Sequence, residues 1–243
     1  MLSEYQKMSE AIVITPVKDS KETTKRTIEA VTNASGNFEY CVFNDFSKPD
    51  TKSFLEESSK KSGFSLIHLE DITTKPSPNY KLVLGIAQKT ALSQNKPLII
   101  IESDVVIQKI TISELIKLAT LKNDAGLIGA ITTDESGNYN FPYTFEKKKS
   151  SDVVNTAHSL SFCCTLITSG FLQKFDFSTL SNEKDWYDVF ISRQSKKAGF
   201  RNYLAKGVEV LHLPHSSRPW KKLKYSNPIL YYWKKLVNKR DRI

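Results

Sequence analysis

The chemistry in this 243-residue sequence concentrates first in the stretch KPLIIIESDVVI, residues 96–107. Four apolar residues, Leu98 to Ile101, lead into Glu102 and Asp104. An unpartnered carboxylate is too costly to bury in such surroundings, so both acids belong where a strand leaves the core. In an extended segment, residues two apart point to the same side. Two carboxylates converging on one point suit a hard divalent cation, Mg2+ or Mn2+, which commonly also holds phosphate oxygens. The competing arrangement is structural: one acid caps the next helix and the other pairs with a lysine. Spacing alone leaves both open.

Alternating strands and helices would have to position these acids. AIVITPV (11–17) is a short β-rich run, and a helix is predicted over SKETTKRTIEAVTNA with Ser20 as its cap. FEYCVFND, FSLIHLE and PLIII read as three more strands. Between them lie a helix over KPDTKSFLEESSKKSG, closed by Gly63, and another over YKLVLGIAQKTALSQN. This alternation predicts an α/β fold, a mostly parallel sheet covered by helices. Ligands bind outside the carboxyl ends of such strands. The polar residues there are Thr15, Lys18 and Asp19, then Asn44 and Asp45, then Glu70 and Asp71, and finally Glu102 and Asp104. The second half is less regular. TISELIKLATLKND reads as a helix, AGLIGAIT as a strand, and residues 132–152 as a polar surface loop. SLSFCCTLITSGFLQKF predicts a strand or two and a short helix, and NEKDWYDVFISRQSKKAGF a helix ending at Gly199. YLAKGVEVLHLPH holds a last strand and a histidine-bearing loop.

Composition excludes several classes. With 40% hydrophobic and 25% charged residues, the chain is globular rather than disordered. Cys41, Cys163 and Cys164 lack zinc-ligand spacing and read as small buried residues in a reducing compartment. No apolar run reaches the ~18 residues of a membrane span, and MLSEYQKMSE carries no signal-peptide pattern, so a cytoplasmic protein is expected. The net charge of +9 is uneven: residues 219–243 hold eight Lys or Arg against one Asp. Residues 1–218 are therefore expected to form one domain, and 219–243 a basic tail.

Five segments, in order, resemble the GT-A glycosyltransferases, specifically the inverting family 2. IVITPVKDS is similar to the family's opening strand and turn, with Val17 and Lys18 in place of an aromatic and an Asn. CVFNDFSKPDT resembles V-D-D-x-S-x-D, with Asn44 for the first Asp and Asp45, Ser47 and Asp50 retained. ESD stands where the family has its D-x-D metal motif. EKDWYDVFISRQSKKAGF resembles the acceptor-side acid helix, although Asp188 to Arg193 is one residue longer than usual. VEVLHLPH is similar to the late strand whose histidine reaches the metal or diphosphate.

The resemblance implies a Rossmann-like GT-A sheet, a nucleotide-diphospho-sugar donor (a UDP-sugar first), and Mn2+ or Mg2+ as cofactor. Thr15, Pro16, Val17 and Asp45 would border the base and ribose, with Asn79, Lys81 and Ser103 near the remainder of the donor. Asp104, Glu102 and His212 would hold the cation, and His215 would contact phosphate or loop. Asp185 or Asp188 would be the base that takes the acceptor's proton, with Arg193 pairing the other acid and Trp186 or Tyr187 stacking on a sugar. Three apart, the two acids would share a helical face. The acceptor would be a saccharide or a lipid-linked sugar in cell-surface polysaccharide or glycolipid assembly.

The tail interleaves Trp220, Tyr225, Tyr231, Tyr232 and Trp233 with lysines, and Asn227-Pro228 starts a helix well. This composition suits a helix lying on the inner membrane surface, a helix packed on the domain, or one meeting nucleic acid. Nucleic acid is not the expected partner, because the first 218 residues are nearly balanced in charge. A nucleotidyltransferase is the enzymatic rival, but TPVKDSKETTKR lacks the glycines its phosphate loop needs. Asn44 and Glu102 also keep a non-catalytic relative in view.

Overall fold

In the computed structural model, runs rich in Val, Ile and Phe become parallel strands: β1 (Ala11–Val17), β2 (Phe38–Asn44), β3 (Ser65–His68) and β4 (Leu98–Ile101). The described residues are 9–144, 146, 152–182, 186–214, 230 and 233. Helices α1 (Lys21–Thr32), α2 (Pro49–Ser62) and α3 (Tyr80–Ser93) make the crossovers. A crossover helix brings the next strand back in the same direction, and the register pairs Ala11 with Phe38, Ile12 with Leu98 and Cys41 with Ser65. Pro49 fits the first turn of α2, and Gly63 ends it at φ 73. The start of α1 departs from expectation. Ser20 is left-handed at φ 58 rather than extended as a capping residue usually is, and its side chain makes no capping bond, while its carbonyl accepts from Thr23 Oγ1 and Thr24 N.

The second half is spliced into this frame. It contains β5 (Val105–Val106), α4 (Thr111–Leu121), β6 (Ala125–Thr133), β7 (Val153–Asn155) and β8 (Cys164–Ile167). Then come α5 (Ser169–Lys174), α6 (Tyr187–Lys197) and β9 (Arg201–His212). Among the described residues one sheet runs β3-β2-β1-β4-β8-β6-β9-β5, with β7 also on β9. β8 lies antiparallel between β4 and β6, while β6 and β9 are parallel. All of β6 is buried, as expected of a strand covered on both faces. One core face gathers Val13, Val42, Ile99 and Ile128; the other gathers Ile14, Phe43, Ile100 and Phe171.

A close approach sets α6. A Cβ on Gly126 of β6 would lie 2.0 Å from Ser195 Oγ. Ser195 Oγ donates to Asn202 Oδ1 at 2.8 Å, and Asn202 Nδ2 returns a bond to Ser192 O at 2.8 Å. These bonds tie α6 to β9 and so place its first turn. That turn begins at Tyr187, after Trp186 in the left-handed region at φ 55. Asp188 is in that first turn, and Asp185 falls outside the described residues.

The boundary near 218 and the tail fall outside the described residues, except Leu230 and Trp233, which are helical and exposed. Among the described residues no helix is long and apolar enough to cross a membrane.

Candidate active site

At the carboxyl end of β4 the chain turns. Val105 N donates to Glu102 O at 3.1 Å, closing a β-turn with Ser103 and Asp104 at its corner. Glu102 and Asp104 are thus not neighbours on one side of an extended strand, as their spacing suggested. Glu102 N donates to Cys163 O at 3.0 Å, and its Oε2 takes the Cys163 thiol at 3.7 Å. Asp104 meets β9 instead. The antiparallel pairing of β5 sets Val105 opposite His212, and Leu213 N donates to Asp104 O at 2.8 Å.

His212 Nε2 then lies 3.5 Å from Asp104 Oδ2, with the two side chains only 4% and 5% exposed. His212 Nδ1 is 2.6 Å from the Phe141 carbonyl oxygen. A carbonyl can only accept, so Nδ1 carries a hydrogen and Nε2 is the nitrogen turned to the carboxylate. A backbone carbonyl behind the ring and an acid in front is the usual setting of a metal-ligating histidine. Asp104 Oδ2 and His212 Nε2 thus bring one oxygen and one nitrogen donor to the same point. The donor set therefore fits Mn2+ or Mg2+. Asn140 Nδ2 steadies the same strand end by donating to His212 O at 2.9 Å. Among the described residues no three of His, Cys, Asp and Glu converge, so Glu102 does not join this pair.

The donor-side residues sit at the ends of β1 and β2. Thr15 is fully buried and its Oγ1 accepts from Tyr40 OH at 2.9 Å. Pro16 is half-buried and Val17 buried. Asp45 fastens the loop before α3: Oδ2 accepts from Ser77 Oγ at 2.7 Å and Asn79 N at 2.9 Å, and Oδ1 from Asn79 Nδ2 at 2.8 Å. Structure thus brings Asp45 and Asn79 together. Lys81 reaches Asn182 Oδ1 at 3.1 Å, and Ser103 is half-buried in its turn. Glu70 pairs with Lys52 at 2.5 Å. The first two loops lock together through Asp19 N to Ser47 Oγ at 2.9 Å and Lys48 N to Asp19 Oδ1 at 2.7 Å. Asn44 is structural here. Its Nδ2 meets His68 Nδ1 at 2.9 Å and its Oδ1 accepts from Ser47 N at 3.2 Å.

Asp188 lies half-buried in the first turn of α6. Desolvation pushes its carboxyl up to about 6, against the pull of the Val189 N–H and its own. Val189 N donates to Oδ1 at 2.8 Å. A value near neutrality suits a group that takes a proton during turnover. Tyr187 is buried, stacks on Tyr80 and donates to Ser181 O at 2.8 Å. Arg193 is exposed, and no ion pair joins it to Asp188 among the described residues. Asp185 and His215 fall outside the described residues. Sequence reasoning passed over the Phe141 carbonyl, Asn140 and Tyr80. A backbone acceptor leaves no trace in residue type, and the other two gain meaning only from their neighbours.

Residues 12–176 match the family described as glycosyl transferase family 2. No curated protein matches the chain in sequence. Among solved structures, the mannosyltransferase PcManGT from Pyrobaculum calidifontis, in complex with GDP-Man and Mn2+, superposes with a TM-score of 0.64 at 11% identity, over 96% of this chain and 65% of that one. GalNAc-T7 with UDP, GalNAc and Mn2+ gives 0.65 at 12% identity, over 87% and 45% of the two chains. Residues 1–349 of S. aureus TarS give 0.59 at 14% identity, over 84% and 60%. The chain thus spans less than two thirds of each of these proteins, and at such identities the shared feature is the GT-A fold. With the family match covering well over half of its length, the chain belongs to glycosyl transferase family 2.

Proposed function

We propose that the protein is an inverting, divalent-metal-dependent glycosyltransferase. It moves a sugar from a nucleotide-diphospho-sugar, with UDP the first nucleotide to try, to a hydroxyl of a saccharide or lipid-linked acceptor. The enclosed Asp104–His212 pair carries this reading, because its geometry suits a cation that also holds a diphosphate. Structural neighbours hold GDP-Man with Mn2+ in one case and UDP with Mn2+ in another.

Asp104 and His212 would hold the metal. Bound there, the cation supplies Lewis-acid stabilisation of the leaving diphosphate. Thr15, Pro16 and Val17 border the nucleotide through their backbone. Asp45 and Asn79 fix the loop beside it, and each Asp45 oxygen retains capacity for a further bond. Lys81 and Ser103 flank the donor. Asp188 takes the proton of the acceptor hydroxyl, and Asp185 is the second candidate for that task. The acceptor oxygen bonds to the anomeric carbon as the carbon–diphosphate bond breaks and its electron pair leaves on the diphosphate, so configuration inverts. The composition of residues 219–243 supports a peripheral position on the inner face of a membrane, with cell-surface polysaccharide or glycolipid as the product class.

The test is a thermal-stability titration with nucleoside diphosphates, with and without Mn2+. A bound diphosphate raises the melting temperature by mass action. One nucleotide should give a metal-dependent rise that Asp104→Ala abolishes. A wild-type protein unmoved by every nucleotide and metal would sink the proposal.

A further inference from the structure

Tyr80, the first residue of α3, has no role in the scheme above. Its ring lies against Tyr187, with centroids 6.1 Å apart and planes 22° from parallel, so α3 and α6 meet through this stack. Tyr187 directly precedes Asp188. The Tyr80 hydroxyl oxygen is enclosed, and among the described residues it has no hydrogen-bond partner. The carboxylates of Glu102 and Asp188 both act on it electrostatically.

A buried phenol normally finds a partner, because an unsatisfied hydroxyl is costly. Phenylalanine would keep the same stack without that cost, so packing alone does not account for the oxygen. Of these two carboxylates, Asp188 is the one that follows directly on Tyr187, the ring stacked on Tyr80. Glu102 Oε2 already takes the Cys163 thiol. Asp188 uses Oδ1 for the Val189 N–H, and its own N–H adds a smaller pull on the carboxylate. Hydrogen bonds in active sites are commonly long before the reactants bind and tighten in the loaded complex.

We propose that Tyr80 is a positioning residue for the base: its hydroxyl donates to Asp188 Oδ2 when donor and acceptor are seated, and so fixes the plane of that carboxylate. This rests on Asp188 being the base, as proposed above. The free protein carries an unsatisfied hydroxyl, and the loaded complex supplies its partner.

The experiment uses Tyr80→Phe, Asp188→Asn and the double variant in the full chain with Mn2+. Rates of diphosphate release are measured from UDP-glucose, UDP-N-acetylglucosamine, UDP-N-acetylgalactosamine and GDP-mannose, with water as the acceptor. Tyr80→Phe should lower kcat roughly tenfold or more and leave the donor KM within about twofold. The melting temperature of the free protein should stay level or rise. On top of Asp188→Asn, the Tyr80 change should cost nothing further, since both act through one group. A Tyr80→Phe protein with wild-type kcat would overturn the assignment, as would a loss of full size in the Asp188→Asn background. A wild-type protein that releases diphosphate from no donor would remove the transferase reading itself, and this assignment with it.

Discussion

At the amino edge of β1, β2 and β4, Lys96 is buried with Nζ donating to Glu39 Oε1 at 2.9 Å and to Ser9 and Gln94. Glu39 in turn accepts from Ser9 Oγ at 2.7 Å and Gln94 Nε2 at 2.9 Å. These bonds, led by that from Gln94, hold its carboxyl down at about 2. At the carboxyl edge of the sheet, Asp104 faces His212 Nε2, and Asp188 sits where desolvation opposes its charge. At one edge a buried charge is matched by a dense set of hydrogen bonds. At the other, burial works against the charge of Asp188. The first arrangement serves stability, and the second is the one on which the proposed binding and proton transfer rest.

The largest expected effect lies at the carboxyl edge. Asp188→Asn should cut transfer by about 10²–10⁴-fold. The same change should stabilise the protein at pH 8. The Asp188 carboxyl titrates near 6 in the fold against an ordinary 3.8, so the fold disfavours its charged form above that range. Removing the charge should gain about 1–2 kcal/mol in urea unfolding, with part of the shift discounted for solvent exposure. A destabilised variant would break the contrast between the edges.

Acid should separate them next. Turnover is expected to fall about tenfold per pH unit below about 6, as the base protonates. Glu39 works the other way. Its carboxyl is depressed from 4.5 to about 2, so its contribution to stability is full above 4.5 and is lost only as pH falls through about 2. Between pH 4.5 and 6 the protein should keep that contribution yet lose activity, which rates and circular-dichroism melts at matched pH would check.

The smallest effect belongs to Glu39→Gln. It removes the counter-charge of buried Lys96, but the Glu39 side chain is half exposed, so the expected loss is about 1 kcal/mol in unfolding experiments. Its kcat should match the wild type.

The two halves of the chain differ in how much the sequence discloses. β1 to β4 were legible because each is an apolar run bounded by a proline, a glycine or a helix-starting residue. The insertion of β8 between β4 and β6 was not, because Cys164–Ile167 looks the same whichever strands it joins. The Asp104–His212 pair was legible as residue types only. Asp104 and His212 meet through a two-residue strand, Val105–Val106, too short to leave a pattern. The β-turn at Glu102 was misjudged because a single backbone bond decides between a turn and an extended run. Asp45 and Asn79 were both singled out, but their bond to each other spans the intervening β3 segment, and no local pattern carries it.

The place of β8 also has a consequence during synthesis. β4 pairs with β1 on one side, and its other edge waits for Cys164–Ile167, about 65 residues later. At ~5–20 residues per second the ribosome needs several seconds to deliver that partner. For that interval Leu98–Ile101, fully buried in the finished protein, presents an open, uncharged strand edge to other nascent chains. Yield in cells should therefore depend on chaperones that shield hydrophobic edges, more than the regular first half of the fold would suggest.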